Sequence, residues 1–152
     1  MLKTLFLSAQ YLKFVIDDQR SAKIRQLILP MPYSIKISED NTLIIVKVEG
    51  QINSRSTMEF SIAAHRMGRE RGIKLLLIDL TDSRNDQSVD ENYDLISQDI
   101  DESQEIDRRV RVALFVSPDD HSHDFGESVA RSNGHNVRLF RKLEDAMAYL
   151  KV

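Results

Sequence analysis

The sequence predicts an α/β domain with a mixed, mostly parallel sheet that opens with a β-hairpin and carries about four crossover or packing helices. Three observations lead to this fold class. From residue 33 onward, apolar stretches of strand periodicity alternate with stretches of helical periodicity. A short polar turn separates the first two strand-like stretches, as in a hairpin. Helical stretches separate the later ones, which implies right-handed crossovers between parallel strands.

Composition excludes several classes of function. The chain has 152 residues, which fits one domain with a core of its own. It contains no cysteine, so disulfides, thiolate catalysis and cysteine-ligated metals are excluded, and a cytoplasmic location is expected. The 21 basic and 24 acidic residues are closely mixed, which predicts no nucleic-acid binding. No apolar run approaches the ~18 residues of a transmembrane segment, so none is expected.

Residues 1–30 differ from the remainder of the chain. The stretch LPMP at 29–32 ends them, because proline removes a hydrogen-bond donor and restricts the residue before it. We predict an N-terminal extension over 1–30 and a single α/β domain over 31–152. The extension is an appended helix, a stretch upstream of a domain that begins at Met31, or an ordinary helix packed on the domain. Helical spacing is seen at Leu2, Leu5, Phe6, Ala9 and Leu12.

The domain opens with the predicted hairpin, followed by a long helix. YSIKIS alternates between apolar and polar residues, EDN is a turn, and TLIIVKVEG is a second strand. The next stretch, NSRSTMEFSIAAHRMGRERG, has helical spacing. Ser56 and Glu59 form its predicted capping box, with Ser54 as an alternative cap. Gly72 is its predicted end. The basic residues of HRMGRERGIK are interpreted as complementing the helix dipole.

A buried strand and a second helix come next. IKLLLIDL, residues 73–80, is a continuous apolar run, which is typical of a strand buried on both faces. The polar stretch TDSRNDQ is predicted to be a loop. Ser88 and Glu91 then form a second capping box. The apolar side of the helix that they open is expected at Val89, Tyr93, Ile96 and Ile100.

Two strands and two helices complete the domain. RVRVALFVS, residues 109–117, is a strand, and Ser117 and Pro118 are predicted to cap and start the third helix. That helix is expected to end at Asn133 and Gly134. NVRLF, residues 136–140, is the last strand, and LEDAMAYL is the last amphipathic helix.

The loops that follow parallel strands gather on one rim of such a sheet, where ligands tend to bind. Helix N-termini that point toward this rim would favour an anion there. Acidic residues in the same loops are expected to satisfy the free N–H groups themselves. The candidate binding residues on the rim are Asp79, Asp82, Ser117, Asp119 and Asp120.

The stretch DDHSHD, residues 119–124, contains residue types that bind zinc or manganese. On a helix, residues two apart point to nearly opposite sides, so His121 and His123 would not bind one ion. Neither a G-x-S-x-G elbow nor a glycine-rich phosphate loop occurs. We predict no metal, no cofactor and no catalytic residue, with both histidines on the solvated side. A metal-dependent enzyme that uses Asp119, Asp120 and His123 is the least favoured alternative.

Several stretches together resemble the STAS-like family of bacterial domains, over residues 31–152. These stretches are MPYSIKI, IIVKVEG, KLLLIDL, RRVRVALFVSPDD and VRLFRKLEDAMAYL. The family is similar to anti-sigma-factor antagonists and shares its fold with CRAL-TRIO lipid-binding domains. The resemblance implies a non-enzymatic cytoplasmic domain that binds a protein partner in a regulatory switch.

The resemblance also implies candidate functional residues. In anti-sigma-factor antagonists a serine at the start of the helix after the central strand is phosphorylated, which corresponds to Ser88, with Ser83 as a rival. This chain reads DLTDSRNDQSVDE where that family has an Asp-Ser-Ser-Gly string. The alternative function implied by the resemblance is binding of a lipid-like or other small apolar ligand between helices and sheet. Side chains that could line its cavity are Met58, Phe60, Met67, Tyr93 and Phe125.

Overall fold

The computed structural model describes residues 33–151, so the predicted N-terminal extension, residues 1–30, lies outside the described residues. The described part contains five strands and four α-helices. Their bounds are β1 Tyr33–Ile37, β2 Ile44–Ile52, α1 Ser54–Arg71, β3 Leu75–Asn85, α2 Val89–Asp94, β4 Arg111–Phe115, α3 Asp124–Ser132, β5 Val137–Phe140 and α4 Leu143–Lys151. A π-helical turn, Leu95–Ile100, continues α2.

The five strands form one sheet in the order β1-β2-β3-β4-β5. β1 and β2 are antiparallel, with Tyr33 opposite Val48, and the other neighbours are parallel. Each parallel pair is joined through a helix on the sheet's surface, as crossover connections require. The predicted fold class, a mostly parallel mixed sheet opened by a hairpin, is confirmed.

Helices cover the two faces of the sheet unequally. α1, the α2 segment and α3 share one face, where Phe60 and Ala64 of α1 pack against strand residues such as Val46 and Ile78. Val129 of α3 joins this layer through a cluster with Leu95 and Ile96 of the π-helical turn. α4 packs on the opposite face through Ala146 and Leu150, against Leu77 and Ala113. No helix of residues 33–151 is long and apolar enough to cross a membrane.

The N-cap of α1 is Asn53, and not Ser56 or Ser54 as predicted. The Asn53 side chain accepts a hydrogen bond from the Ser56 N–H, with 2.9 Å between Oδ1 and N, and Ser56 Oγ accepts one from the Asn53 N–H. A capping box is therefore present one turn earlier than predicted, with Ser56 as its second member. Gly72, with φ of 68°, ends the helix in the left-handed conformation, as predicted.

β3 continues five residues beyond the predicted strand. The stretch 81–85 was predicted as loop because it is polar, but it pairs with the long β2 as far as Ile52 opposite Asn85. A register shift between Lys47 and Glu49 accommodates one extra residue of β3. Asp82 and Ser83 therefore lie within a strand, as Asp79 does, and the prediction of a loop for Asp82 and Ser83 is wrong.

α3 begins at Asp124, and the predicted start at Ser117 and Pro118 is wrong. Ser117 does not cap a helix: its Oγ donates a hydrogen bond to Thr81 O of β3, at 2.8 Å. Asp120 Oδ1 accepts from the Ser122 N–H at 2.9 Å, which forms a local turn. Such side-chain-to-backbone bonds offer the chain an alternative to helix. Residues 117–123 are consequently a loop fastened to the end of β3.

Candidate functional site

Ser88 lies at the N-terminus of α2 with an exposed side chain. Its Oγ accepts a hydrogen bond from the Glu91 N–H at 3.1 Å, so the predicted N-cap is confirmed. Asp90 and Glu91 complement the helix dipole in the first turn. The Ser88 hydroxyl is therefore reachable from solvent while it holds the start of the helix.

The buried side chain of Asn92 forms hydrogen bonds with the segment that precedes α2. Asn92 Nδ2 donates to Ser88 O at 2.8 Å and to Gln87 O at 3.2 Å. Its Oδ1 accepts from Asn85 Nδ2 at 2.7 Å, and Gln87 Nε2 donates to Ser54 Oγ of α1. Sequence reasoning missed Asn92. Its position four residues after the cap, and three and four residues before Leu95 and Ile96, was the available signal.

Two apolar side chains follow Ser88 on the exposed side of α2. Val89 is 61% exposed and Tyr93 is 53% exposed, so the predicted apolar side is wrong for these two residues. Ile96 of the predicted side is buried, but it shares the buried side of the helix with Asn92 and Leu95, at spacings of four and one. Phe125, 38% exposed, lies on the neighbouring α3. We call Ser88, Val89, Tyr93 and Phe125 the Ser88 surface.

α2 and α3 approach each other closely beside this surface. A Cβ added at Gly126 would lie 3.6 Å from Asn92 Oδ1 and 3.7 Å from Ile96 Cδ1. Gly126 follows Phe125 directly, so Phe125 belongs to the turn of α3 that contacts α2. The exposed apolar residues of both helices thus border one helix–helix contact.

Ser83, the second candidate phosphoacceptor, is less available. It lies on β3 and is half-buried, and its Oγ donates to Leu80 O at 2.9 Å. A group added to this oxygen would break that hydrogen bond and disturb the strand.

One lysine forms ion pairs with both candidate rim residues of β3. Lys47 Nζ lies 3.2 Å from Asp79 Oδ2 and 2.8 Å from Asp82 Oδ2. Thr81 Oγ1 donates to Asp79 Oδ1 at 2.6 Å. Burial alone would raise the pKa of Asp79, but the hydrogen bonds from Thr81 and Lys47 outweigh it and hold this pKa below its usual value. These carboxylates are therefore occupied by partners of the sheet itself.

The other candidate rim residues, Ser117, Asp119 and Asp120, lie in the 117–123 loop and not on β3. Asp119 is exposed. Burial alone would raise the pKa of Asp120. Hydrogen bonds from Ser122 and the electrostatic effect of the neighbouring His123 outweigh burial and lower this pKa. Ser122 Oγ also accepts from the Asn85 N–H at 3.1 Å, which joins the loop to β3.

The two histidines of this loop have opposite environments. His121 is exposed, and its Nδ1 lies 2.8 Å from Asp124 Oδ2. His123 is 5% exposed, so the prediction of a solvated position is wrong for it. Burial lowers the pKa of His123, against the opposing effects of Asp120 and a backbone hydrogen bond at Ser83. Within residues 33–151, no three histidine or carboxylate side chains converge to hold a metal ion.

A cavity of about 150 Å³ lies between the sheet and the layer of α1, α2 and α3. Apolar side chains form most of the area of its wall, and Gln87, Asn92 and His123 are among its polar lining residues. Of the five side chains that were predicted to line such a cavity, Phe60 does so. The other four, Met58, Met67, Tyr93 and Phe125, are not among the lining residues.

The sequence matches no family model and no curated protein. The fold is similar to the crystal structure of an anti-sigma factor antagonist from Mycobacterium paratuberculosis, with 13% identity and a TM-score of 0.50, over 79% of this chain and 95% of that chain. An uncharacterized protein with a SpoIIAA-like fold from Shewanella loihica PV-4 has 17% identity and a TM-score of 0.45, over 78% of this chain and 91% of that chain. The likeness to the antagonist confirms the STAS-like resemblance at the level of the fold.

Proposed function

We propose that this chain is a non-enzymatic, cytoplasmic regulatory domain that binds a protein partner through the Ser88 surface. The observation that carries the proposal is an exposed serine hydroxyl at a helix N-terminus, directly beside exposed apolar side chains. The fold likeness to an anti-sigma factor antagonist supports an anti-sigma factor as the class of partner.

The chemistry of the surface suits a protein interface. Val89 and Tyr93 are four residues apart, so they lie on the same side of α2. Tyrosine and phenylalanine bury large areas at low entropic cost and are frequent at the centres of interfaces. Tyr93 and Phe125 would supply the aromatic anchors, and Asp90 and Glu91 would supply a charged edge.

Phosphorylation of Ser88 would switch this surface off. A phosphoserine carries about −1.5 to −2 charges at neutral pH. The helix N-terminus favours that charge, but Asp90 and Glu91 in the same turn oppose it. A partner that covers Val89 would have to desolvate the phosphate, which is costly unless a cation compensates it. Ser83 remains the alternative phosphoacceptor, although its hydroxyl is engaged within β3.

Calorimetric titration of the purified chain with an anti-sigma factor from its source organism tests the proposal. We expect Ser88→Asp, which retains a capping oxygen and adds a charge, to weaken binding at least about tenfold. Ser88→Ala should retain binding, although the loss of the cap costs about 1 kcal/mol of stability. Tyr93→Ser should weaken binding because it removes an aromatic anchor.

Leu143→Ser is the matched control, since Leu143 is also an exposed large apolar residue but lies on α4, which packs on the other face of the sheet. It should leave the affinity unchanged. Equal affinity of wild type and Ser88→Asp would refute the switch, and equal affinity of Tyr93→Ser would refute the surface. Mass spectrometry of peptides from native cells distinguishes phosphorylation at Ser88 from phosphorylation at Ser83.

A further inference from the structure

The cavity beneath α2 carries an inference beyond the proposed protein binding. Protein cores seldom contain voids larger than a water molecule, because side chains interdigitate at the density of organic crystals. The cavity here has a volume of about 150 Å³ and is partly open to the surface. Apolar side chains, such as Ile78, Leu80, Leu95 and Ile96, form most of its wall area, and polar or charged residues line its ends. That composition is characteristic of small-molecule sites.

Two buried polar atoms of the lining, Gln87 Oε1 and His123 Nε2, have no hydrogen-bond partner among residues 33–151. His123 Nε2 lies 3.4 Å from Asp120 Oδ2, which is an electrostatic contact without hydrogen-bond geometry. Buried polar groups are rarely left unpaired, because each one costs its full desolvation energy. A polar group inside the cavity would therefore supply the hydrogen bonds that both atoms lack.

Both groups belong to the same end of the cavity, since Asn85 connects their segments. The Asn85 N–H donates to Ser122 Oγ, in the residue before His123. The Asn85 Oδ1 accepts from the Gln87 N–H at 3.0 Å. The end of the cavity beneath the start of α2 thus carries both atoms, apolar side chains line its middle, and a second polar end is lined by His65, Asp107, Arg108 and His135.

We propose that this cavity binds a small neutral molecule about the size of one aromatic ring that carries a hydroxyl group. The hydroxyl donates its proton to Gln87 Oε1, its oxygen accepts from the His123 Nε2–H, and the ring fills the apolar part. A hydroxyl fits because it has one donor for the amide oxygen and lone pairs for a protonated Nε2. Asp120 Oδ2, 3.4 Å from Nε2, favours the tautomer that carries the proton there. An apolar cavity of about 150 Å³ accommodates benzene, so the size favours a single ring over a lipid-like molecule.

Phenol is the probe, and the full-length chain labelled with ¹⁵N is titrated with it and, separately, with benzene. We expect saturable shifts of the amides of residues that line the cavity, and an affinity for phenol about tenfold higher than for benzene because only phenol satisfies the two polar atoms. Gln87→Leu and His123→Leu should each reduce that preference for phenol. The dispersion of each variant's amide spectrum shows whether it is folded.

Gln98→Leu and His121→Leu are matched controls, because each replaces an exposed residue of the same type that does not line the cavity. Both should retain the preference for phenol. Linear, non-saturating shifts, or shifts confined to the exterior, would overturn the proposal and indicate that the cavity holds water. Equal affinities for phenol and benzene, or a preference that survives in folded Gln87→Leu and His123→Leu, would overturn the role of the two anchors.

Discussion

His65 illustrates how tertiary burial changes the role of a residue. In the sequence it belongs to a basic cluster at the end of α1, but in the structure it is buried. Its Nδ1 accepts a hydrogen bond from the Asp107 N–H at 3.2 Å, which requires that nitrogen to be unprotonated. Burial lowers the pKa of His65 to about 4, against the attraction of Asp107. At neutral pH it is therefore a neutral acceptor that ties the loop before β4 to α1.

We predict that stability falls as the pH decreases from about 6.5 to about 4, partly through His65. Between these pH values the His65 side chain is protonated in the unfolded chain but neutral in the native protein, so a decrease in pH favours unfolding. One pH unit of such linkage is worth about 1.4 kcal/mol, so the loss by pH 4.5 is roughly 2–3 kcal/mol. Urea denaturation at pH 7 and pH 4.5 measures it.

His65→Gln should reduce this loss, because glutamine offers an acceptor to the Asp107 N–H but does not titrate. His121→Gln, which removes an exposed histidine, serves as the control and should retain most of the loss. His123, whose pKa burial also lowers, contributes in the same direction and remains in both variants. An unchanged pH dependence in His65→Gln would show that His65 does not titrate across this window.

At the scale of elements, substitution of alanine for glycine is expected to have opposite effects on stability at Gly68 and at Gly126. A Cβ at Gly68 of α1 would lie 2.7 Å from Ile73 O, because the chain turns back there and the Ile73 N–H donates to Gly68 O. Gly68→Ala should therefore destabilise the protein by about 1–3 kcal/mol. A Cβ at Gly126 of α3 would meet only ordinary contacts. Gly126→Ala should stabilise by roughly 0.5–1 kcal/mol, since alanine favours helix.

Urea denaturation of the two variants at neutral pH measures both effects, and each variant controls for the other. Because both replace a helical glycine with alanine, the difference in helix propensity is similar and the sterics decide the sign. A stabilised Gly68→Ala protein would mean that the chain after α1 can move away from the added methyl group.

The elements that sequence predicted well are those whose signals are local. The β1–β2 hairpin follows from alternation around a polar turn, and the end of α1 follows from Gly72. The end of β3 was missed because polar residues 81–85 join the sheet only by pairing with β2. The start of α3 was missed because a serine followed by proline resembles a cap, whereas Ser117 bonds to Thr81 of a distant strand.

The candidate site was predictable only in part, for the same physical reason. Ser88 was identified as an N-cap because the capping signal lies within four residues. Val89 and Tyr93 are exposed because the polar Asn92 takes the buried position in α2, which apolar periodicity does not indicate. The burial of His123 depends on the attachment of its loop to β3. The polar end of the cavity beneath the start of α2 thus arises from tertiary contacts between Asn85, Gln87 and that loop.

At the scale of the whole molecule, the described residues form helical layers on both faces of their sheet. Within residues 33–151, the five strands and four helices pack through three apolar clusters. An α/β domain of this size can bury enough surface to fold independently. The sequence-based division into an extension, 1–30, and a domain, 31–152, stays a prediction.

We therefore predict that a chain beginning at Met31 folds cooperatively, with the same denaturation midpoint as the full-length protein. The physical reason is that the contacts of the three apolar clusters are retained when residues 1–30 are removed. Urea denaturation and the amide spectra of the two chains provide the comparison. If residues 1–30 are instead a helix packed on the domain, the shorter chain will have a lower midpoint because apolar surface becomes exposed. The amide signals displaced by the truncation would then identify the face of the sheet that the helix covers.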